Sequence, residues 1–194
     1  MNCSELTTGL VAAQCGQLET AGAEDDVILI PFNTIDRANC SVLDNVIREI
    51  ELVADKYAYM FSTYGKSLNE AGATFAVGTY RNSWTHSVPL RIFVKKEQSK
   101  KFVNQFGEGA KVVAILKNKA EGENGEVKYE AYGWDNGLIM TESAPTIAMA
   151  DGVVYPLTLA SAEGSNEGSL PKSVFAGAIA ATELMLKGLL EPTP

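Results

Sequence analysis

The sequence predicts a mainly β fold, an antiparallel sandwich or barrel of about seven to nine strands. Three observations predict it. Trp84 to Val94, WTHSVPLRIFV, places Trp84, His86, Val88, Leu90, Ile92 and Val94 on one side of an alternating pattern, and Thr85, Ser87, Pro89, Arg91 and Phe93 on the other. Alternate side chains of a strand point to opposite faces, so this is a long half-buried strand. KVVAILK (111–117) is apolar at both parities, as in a strand covered on both sides. EVKYEAYGW (126–134) alternates cleanly behind Asn124-Gly125, a strong hairpin signal.

Composition fits a single globular body. The chain has 194 residues, 46% hydrophobic and 21% charged. Its net charge of −8 argues against a basic nucleic-acid-binding face or a binder of anionic membranes. No apolar run approaches the roughly 18–20 residues that span a bilayer. Leu10 to Ala13 is too short for a signal core and follows Glu5 instead of a basic residue, so the reading is a protein made in the cytoplasm. Cys3, Cys15 and Cys40 do not make a zinc quartet and read as reduced thiols, although Cys3 and Cys15 have an oxidising pairing open to them.

Taken in order, residues 1–26 read as an N-terminal arm, small and polar, ending on Glu24-Asp25-Asp26. One β-rich domain follows over 27–190, and 191–194 is a short tail. VILI (27–30) before Pro31 is a buried strand. Residues 32–44 are turn-rich. NVIREIELV (45–53) suits a strand, with a helix as the alternative. The Ala54-Asp55-Lys56 turn would join that strand to YAYMFSTY as a hairpin. Residues 65–72 form a polar loop bounded by glycines, and ATFAV (73–77) a further strand. Pro89 cannot donate to a ladder, so it belongs at an edge or where its nitrogen faces outward.

In 96–106, Ser99, Phe102, Val103 and Phe106 share one helical stripe, with the lysines opposite and Gly107 and Gly109 beyond. This predicts one short amphipathic helix lying across the sheet. In 126–131, Val127, Tyr129 and Ala131 point inward and Glu126, Lys128 and Glu130 outward. The chain bends at Trp134-Asp135-Asn136-Gly137 before GLIM (137–140). VVYPLTL (153–159) turns Val153, Tyr155, Leu157 and Leu159 to one face. SAEGSNEGS (161–169) is an acidic loop. Phe175, Ala178, Ile179, Thr182, Leu186 and Leu189 make a C-terminal helical stripe, starting near Lys172 or, because Gly177 weakens it, only near Ala180.

No catalytic, cofactor-binding or metal-binding residue emerges. His86 is the only histidine; it stands between Trp84 and Val88 with no nucleophile motif beside it, and reads as a packing or hydrogen-bonding residue. Glu121, Glu123 and Glu126 lack the alternating Asp/Asn pattern of a calcium loop and read as solvated charge. There is no phosphate-binding glycine loop. Tyr57, Tyr59 and Phe61 read as core aromatics in preference to a binding platform.

TYGKS (63–67), GTYRNSWTHSVPLRIF (78–93), YEAYGWDNGL (129–138) and SLPKSVF (169–175) together resemble structural proteins of tailed phages and prophages. The layout from Val27 to about Leu190 is similar to the tail-tube family. The resemblance implies a non-enzymatic virion protein of the tail, forming hexameric rings that stack into a tube through which DNA passes without specific binding. Its partners would be itself and other tail proteins, with no cofactor and no membrane. Strands within 46–63 and 84–94 would form the sheet nearest the lumen, with the helix at 96–106 outside it or between subunits. Loop 65–72 and the arm 1–26 would make ring-to-ring contacts. The alternatives are a head–tail connector or tail-terminator ring, a monomeric ligand-binding barrel or adhesin, and an enzyme with an unmarked site.

Overall fold

The computed structural model describes residues 22–63, 67–145 and 154–190. The fold is mainly β. Its strands are β1 (Ala23–Pro31), β2 (Ser41–Leu43), β3 (Val46–Glu49), β4 (Tyr59–Ser62), β5 (Gly72–Ala76), β6 (Ser83–Ile92), β7 (Val112–Asn118), β8 (Tyr129–Tyr132), β9 (Leu138–Ser143), β10 (Tyr155–Ser161) and β11 (Lys172–Val174). Helix α1 (Glu97–Gly107) joins β6 to β7, and α2 (Ile179–Leu189) follows β11. The eleven strands among the described residues exceed the seven to nine expected from the sequence, because three- and four-residue strands leave little periodic signal.

The sheet runs β2-β3-β11-β8-β7-β9-β10-β6-β5, with β1 paired to both β7 and β4. All pairs are antiparallel except β11 with β3. It does not close into a barrel. β7 meets β9 through one pair, Val112 with Leu138, and the sheet turns a corner there.

Two cores flank the β1–β7 ladder. Val27 and Leu29 of β1, with Val112, Ala114 and Leu116 of β7, face Val88, Leu90, Leu157, Leu159 and Phe106. Ile28 and Ile30, with Val113 and Ile115, face Ile47, Trp134, Val174, Leu186 and Leu189. VILI is the buried strand expected, KVVAILK is covered on both faces as its pattern indicated, and the cause is a core on each face. β6 buries His86, Val88, Leu90 and Ile92 as the alternation predicts. Pro89 lies past Ser87, the last residue of β6 that β5 covers, in keeping with its missing donor. Val103 and Phe106 anchor α1.

Several expectations are corrected. The 45–53 segment holds a strand over Val46–Glu49, but β3 and β4 do not form a hairpin. β4 pairs with the longer apolar strand β1, and β3 is flanked by β2 and β11. The turn that makes a hairpin here is Asp44-Asn45, with φ of 48° and 67°, the left-handed pair of a two-residue hairpin loop. It joins β2, inside the supposedly turn-rich 32–44, to β3. β3 and β4 share one sheet with β6, but neither pairs with it. β1 begins at Ala23, so residues 23–26 belong to the domain; residues 1–21 of the arm lie outside the described residues.

The polar loop 65–72 holds a short 3₁₀ turn, Ser67–Glu70, and Leu68 is buried in the first core. The β7–β8 connection spans 119–128, not a tight turn at Asn124-Gly125, and Lys128 is buried. Its ammonium reaches Glu121 at 3.0 Å and Glu24 at 3.5 Å, which makes burial of the charge tolerable. The C-terminal alternatives resolve as strand over 172–174 and helix from Ile179.

Removing buried volume beside the central ladder tests the second core. Ile115→Ala should lower unfolding free energy by about 2–5 kcal/mol, read from urea denaturation. A loss below about 1 kcal/mol would mean that this face of β7 is not packed as described.

Candidate assembly surface

His86 was the one side chain with latent chemistry, and the fold commits both of its nitrogens. The backbone N–H of Gly133 donates to Nδ1 at 3.1 Å, and Nε2–H donates to the Ser169 carbonyl at 3.0 Å. The ring is 2% exposed and packs edge-on against Tyr132. This arrangement needs the neutral Nε2–H tautomer. Burial holds its pKa below the ordinary 6.5, with the Lys172 ammonium in the same direction. The Ser169 carbonyl and the Asp135 carboxylate oppose them. His86 thus pins β6 to the turn after β8 and to the loop before β11.

Glu167 closes the same junction. It is 1% exposed, and its carboxylate accepts the backbone N–H groups of Asp135 at 2.8 Å and Asn136 at 2.9 Å. Its own backbone exchanges two hydrogen bonds with Trp84. Burial pushes its pKa up against those two amide bonds. Arg37 donates to the Trp134 carbonyl at 2.6 Å and lies over that indole, while Lys172 pairs with Asp135 at 3.3 Å. Sequence reading singled out His86 and missed Glu167, because an acidic residue in a Gly/Ser-rich loop carries no sign of burial.

The structure places the other expected residues apart from this junction. Glu123 is exposed, Glu126 accepts the Asn124 amide, and Glu121 serves Lys128. Among the described residues no group of three or more His, Cys, Asp or Glu could hold a metal. Cys40 is a free thiol against the Glu51 backbone; Cys3 and Cys15 lie outside the described residues. No described helix is long and apolar enough to cross a membrane.

Unused interaction capacity lies at the sheet edges. Among the described residues, β2, β4 and β5 each pair with one neighbouring strand. β4 exposes Tyr59 at 49% and Met60 at 53%. Beside β5, Phe75 is 49% exposed, Val77 81% and Tyr80 fully. The aromatic run is thus mostly surface: Tyr57 and Tyr59 are exposed, and only Phe61 joins the core, stacked on Phe102 at 5.4 Å. Proteins usually blunt edges with Lys, Pro or charges, and β4, YMFS, has none.

Between β4 and α1 runs an open groove of about 910 Å³. Tyr59, Phe61, Phe102 and Phe106 line it, with Pro31 and Phe32 at one end. Glu108 and Lys111 are the charged residues that line it, whereas Lys95, Lys96, Lys100 and Lys101 are exposed and do not line it. These lysines make no ion pair among the described residues. The sequence signal for the groove was the apolar character of YAYMFSTY at both parities.

Comparison with protein-family models, with curated proteins and with solved structures gives no match.

Because the chain has a single histidine, its imidazole can be followed directly. A proton NMR titration should place it below 6.5, the direction that burial dictates. The depressed value stabilises the fold fully above 6.5, and that contribution is lost as pH falls from 6.5 through the folded-state value. Glu167 acts with the opposite sign, so denaturation at each pH should be compared with a His86→Asn variant. An imidazole titrating above 6.5 would overturn the neutral-pin assignment.

Proposed function

We propose that this chain is a non-enzymatic tail-tube subunit of a tailed phage or prophage, assembling into rings that stack as a conduit for DNA. The observation that supports it best is the set of three strands that, among the described residues, pair on one side only, above all apolar β4. A sheet with edges of this kind gains most by pairing with other copies, and ring closure satisfies every edge at once. The polar groups with latent chemistry, His86 and Glu167, are consumed by internal hydrogen bonds. The net charge of −8 suits a passage that repels phosphate instead of binding it by counterion release. A single-ring connector or terminator shares this logic without stacking.

A second reading, a monomeric ligand-binding domain, draws on the groove, whose volume lies within the range of about 300–1,000 Å³ common for small-molecule sites.

Light scattering over a concentration series with negative-stain microscopy separates the readings. Stacked rings or tubes are the expected result. Isolated rings would point to the connector, and a strict monomer at all concentrations would overturn assembly. Deleting residues 1–20 should leave a folded domain, judged by circular dichroism and melting, and should weaken assembly. Unfolding of that variant would show that the arm belongs to the core.

A further inference from the structure

We propose that residues 191–194, Glu191-Pro192-Thr193-Pro194, add to the outer edge of β4 as a parallel strand of the same chain and guard that edge. This contact lies within one copy and is independent of the assembly reading above.

Along a strand, successive residues point their N–H and C=O groups to opposite sides. Thr63 N–H donates to the Asp25 carbonyl at 2.9 Å, so the odd-numbered residues of β4 turn their backbone groups to β1. Ala58, Met60 and Ser62 therefore turn theirs away from it. Ala58 agrees: its N–H donates to the Leu189 carbonyl at 2.7 Å, and it bridges Leu190 in parallel. Leu190 has left α2 with φ −74° and ψ 145°, an extended backbone. The chain beyond Leu190 thus starts on the outer side of β4 and heads along it.

The four residues suit that path. Carrying the pairing of Ala58 with Leu190 forward sets Met60 beside Pro192 and Ser62 beside Pro194. In that register Glu191 N–H donates to the Ala58 carbonyl, and Thr193 N–H to the Met60 carbonyl. The carbonyls of Glu191 and Thr193 accept the N–H groups of Met60 and Ser62. Pro192 and Pro194, the two residues without an N–H, fall where no donor toward β4 is needed. Their rings also leave the new outer edge short of donors, a protection that YMFS itself lacks. Glu191 and Thr193 each precede a proline, which holds them to extended backbone, so ordering the segment costs little entropy. A second copy seeking β4 must first displace this guard.

Hydrogen exchange at single-residue resolution, read by mass spectrometry over a range of protein concentrations, gives the test. In the full chain the amides of Met60 and Ser62 should be protected to the same degree at every concentration. Ending the chain at Leu190 should speed their exchange by about tenfold, the factor that a lost hydrogen bond of ordinary strength commands. Tyr59 and Phe61, paired with β1, should keep their rates and so report a folded domain. In the full chain Thr193→Pro, which removes a donor aimed at β4, should also speed exchange at Met60 and Ser62, and Pro192→Ala should not. If the shortened chain unfolds, the contrast between these two variants decides. Equal rates in the full and shortened chains, or equal effects of Thr193→Pro and Pro192→Ala, would overturn the proposal. Protection that rises with concentration would overturn it too, giving the edge to another copy and leaving the function proposed above standing.

Discussion

Everything in this fold depends on the antiparallel ladder between β1 and β7 being apolar on both faces. Val27, Leu29, Ala114 and Leu116 cannot leave their core without exposing Ile28, Ile30, Val113 and Ile115 on the other. A one-residue slip of β1 against β7 would exchange the two sets, and both cores would be repacked at once. The ladder therefore sets the register of its neighbours. β8 continues it beside β7, β4 continues it beside β1, and the sheet turns at Val112–Leu138 to bring β9, β10, β6 and α1 over the first core. α2 and β11 close the second core.

Much of this was legible in the chain. Long apolar patterns survive because burial imposes them: β1, β6, β7, β10 and α1 appear where the periodicity puts them. What failed was pairing, which depends on competition between distant strands. The run from Asn45 to Tyr64 contains two strands and a turn, with Asp55 at φ 61°, and every local sign favours a hairpin. Tyr59–Ser62 nevertheless finds a better partner in Asp26–Leu29, which offers a continuous apolar strand where β3 offers Arg48 and Glu49. Lys128 shows the same limit for a single side chain. Its parity said exposed, and two carboxylates brought from Glu24 and Glu121 made burial tolerable.

The candidate surface was less legible than the fold, for a physical reason. Tyr59 and Phe61 look alike in sequence, since both are aromatic and share a parity. One is half exposed over the groove and the other stacks on Phe102. The difference arises because α1 covers one end of β4 and leaves the other end open, and no local pattern encodes where a helix stops. His86 was legible as a packing residue from its apolar neighbours, while its two backbone partners come from segments 47 and 83 residues away.

Hydrogen-bonding capacity is distributed unevenly over the described residues. At the junction of β6, the 133–137 turn and the loop before β11, Glu167 and His86 each take two backbone partners, and no described buried side-chain polar atom lacks a hydrogen bond. β4 and β5 differ: among the described residues each pairs on one side, beside exposed Met60, Phe75 and Val77. Capacity spent inside cannot act on a substrate, whereas capacity left along edges acts on any chain of matching pleat. An edge is also only useful in company, because pairing one edge of a copy leaves its other edges free for the next copy. Pairing through edges, where it occurs between copies, is satisfied in full only when a ring closes.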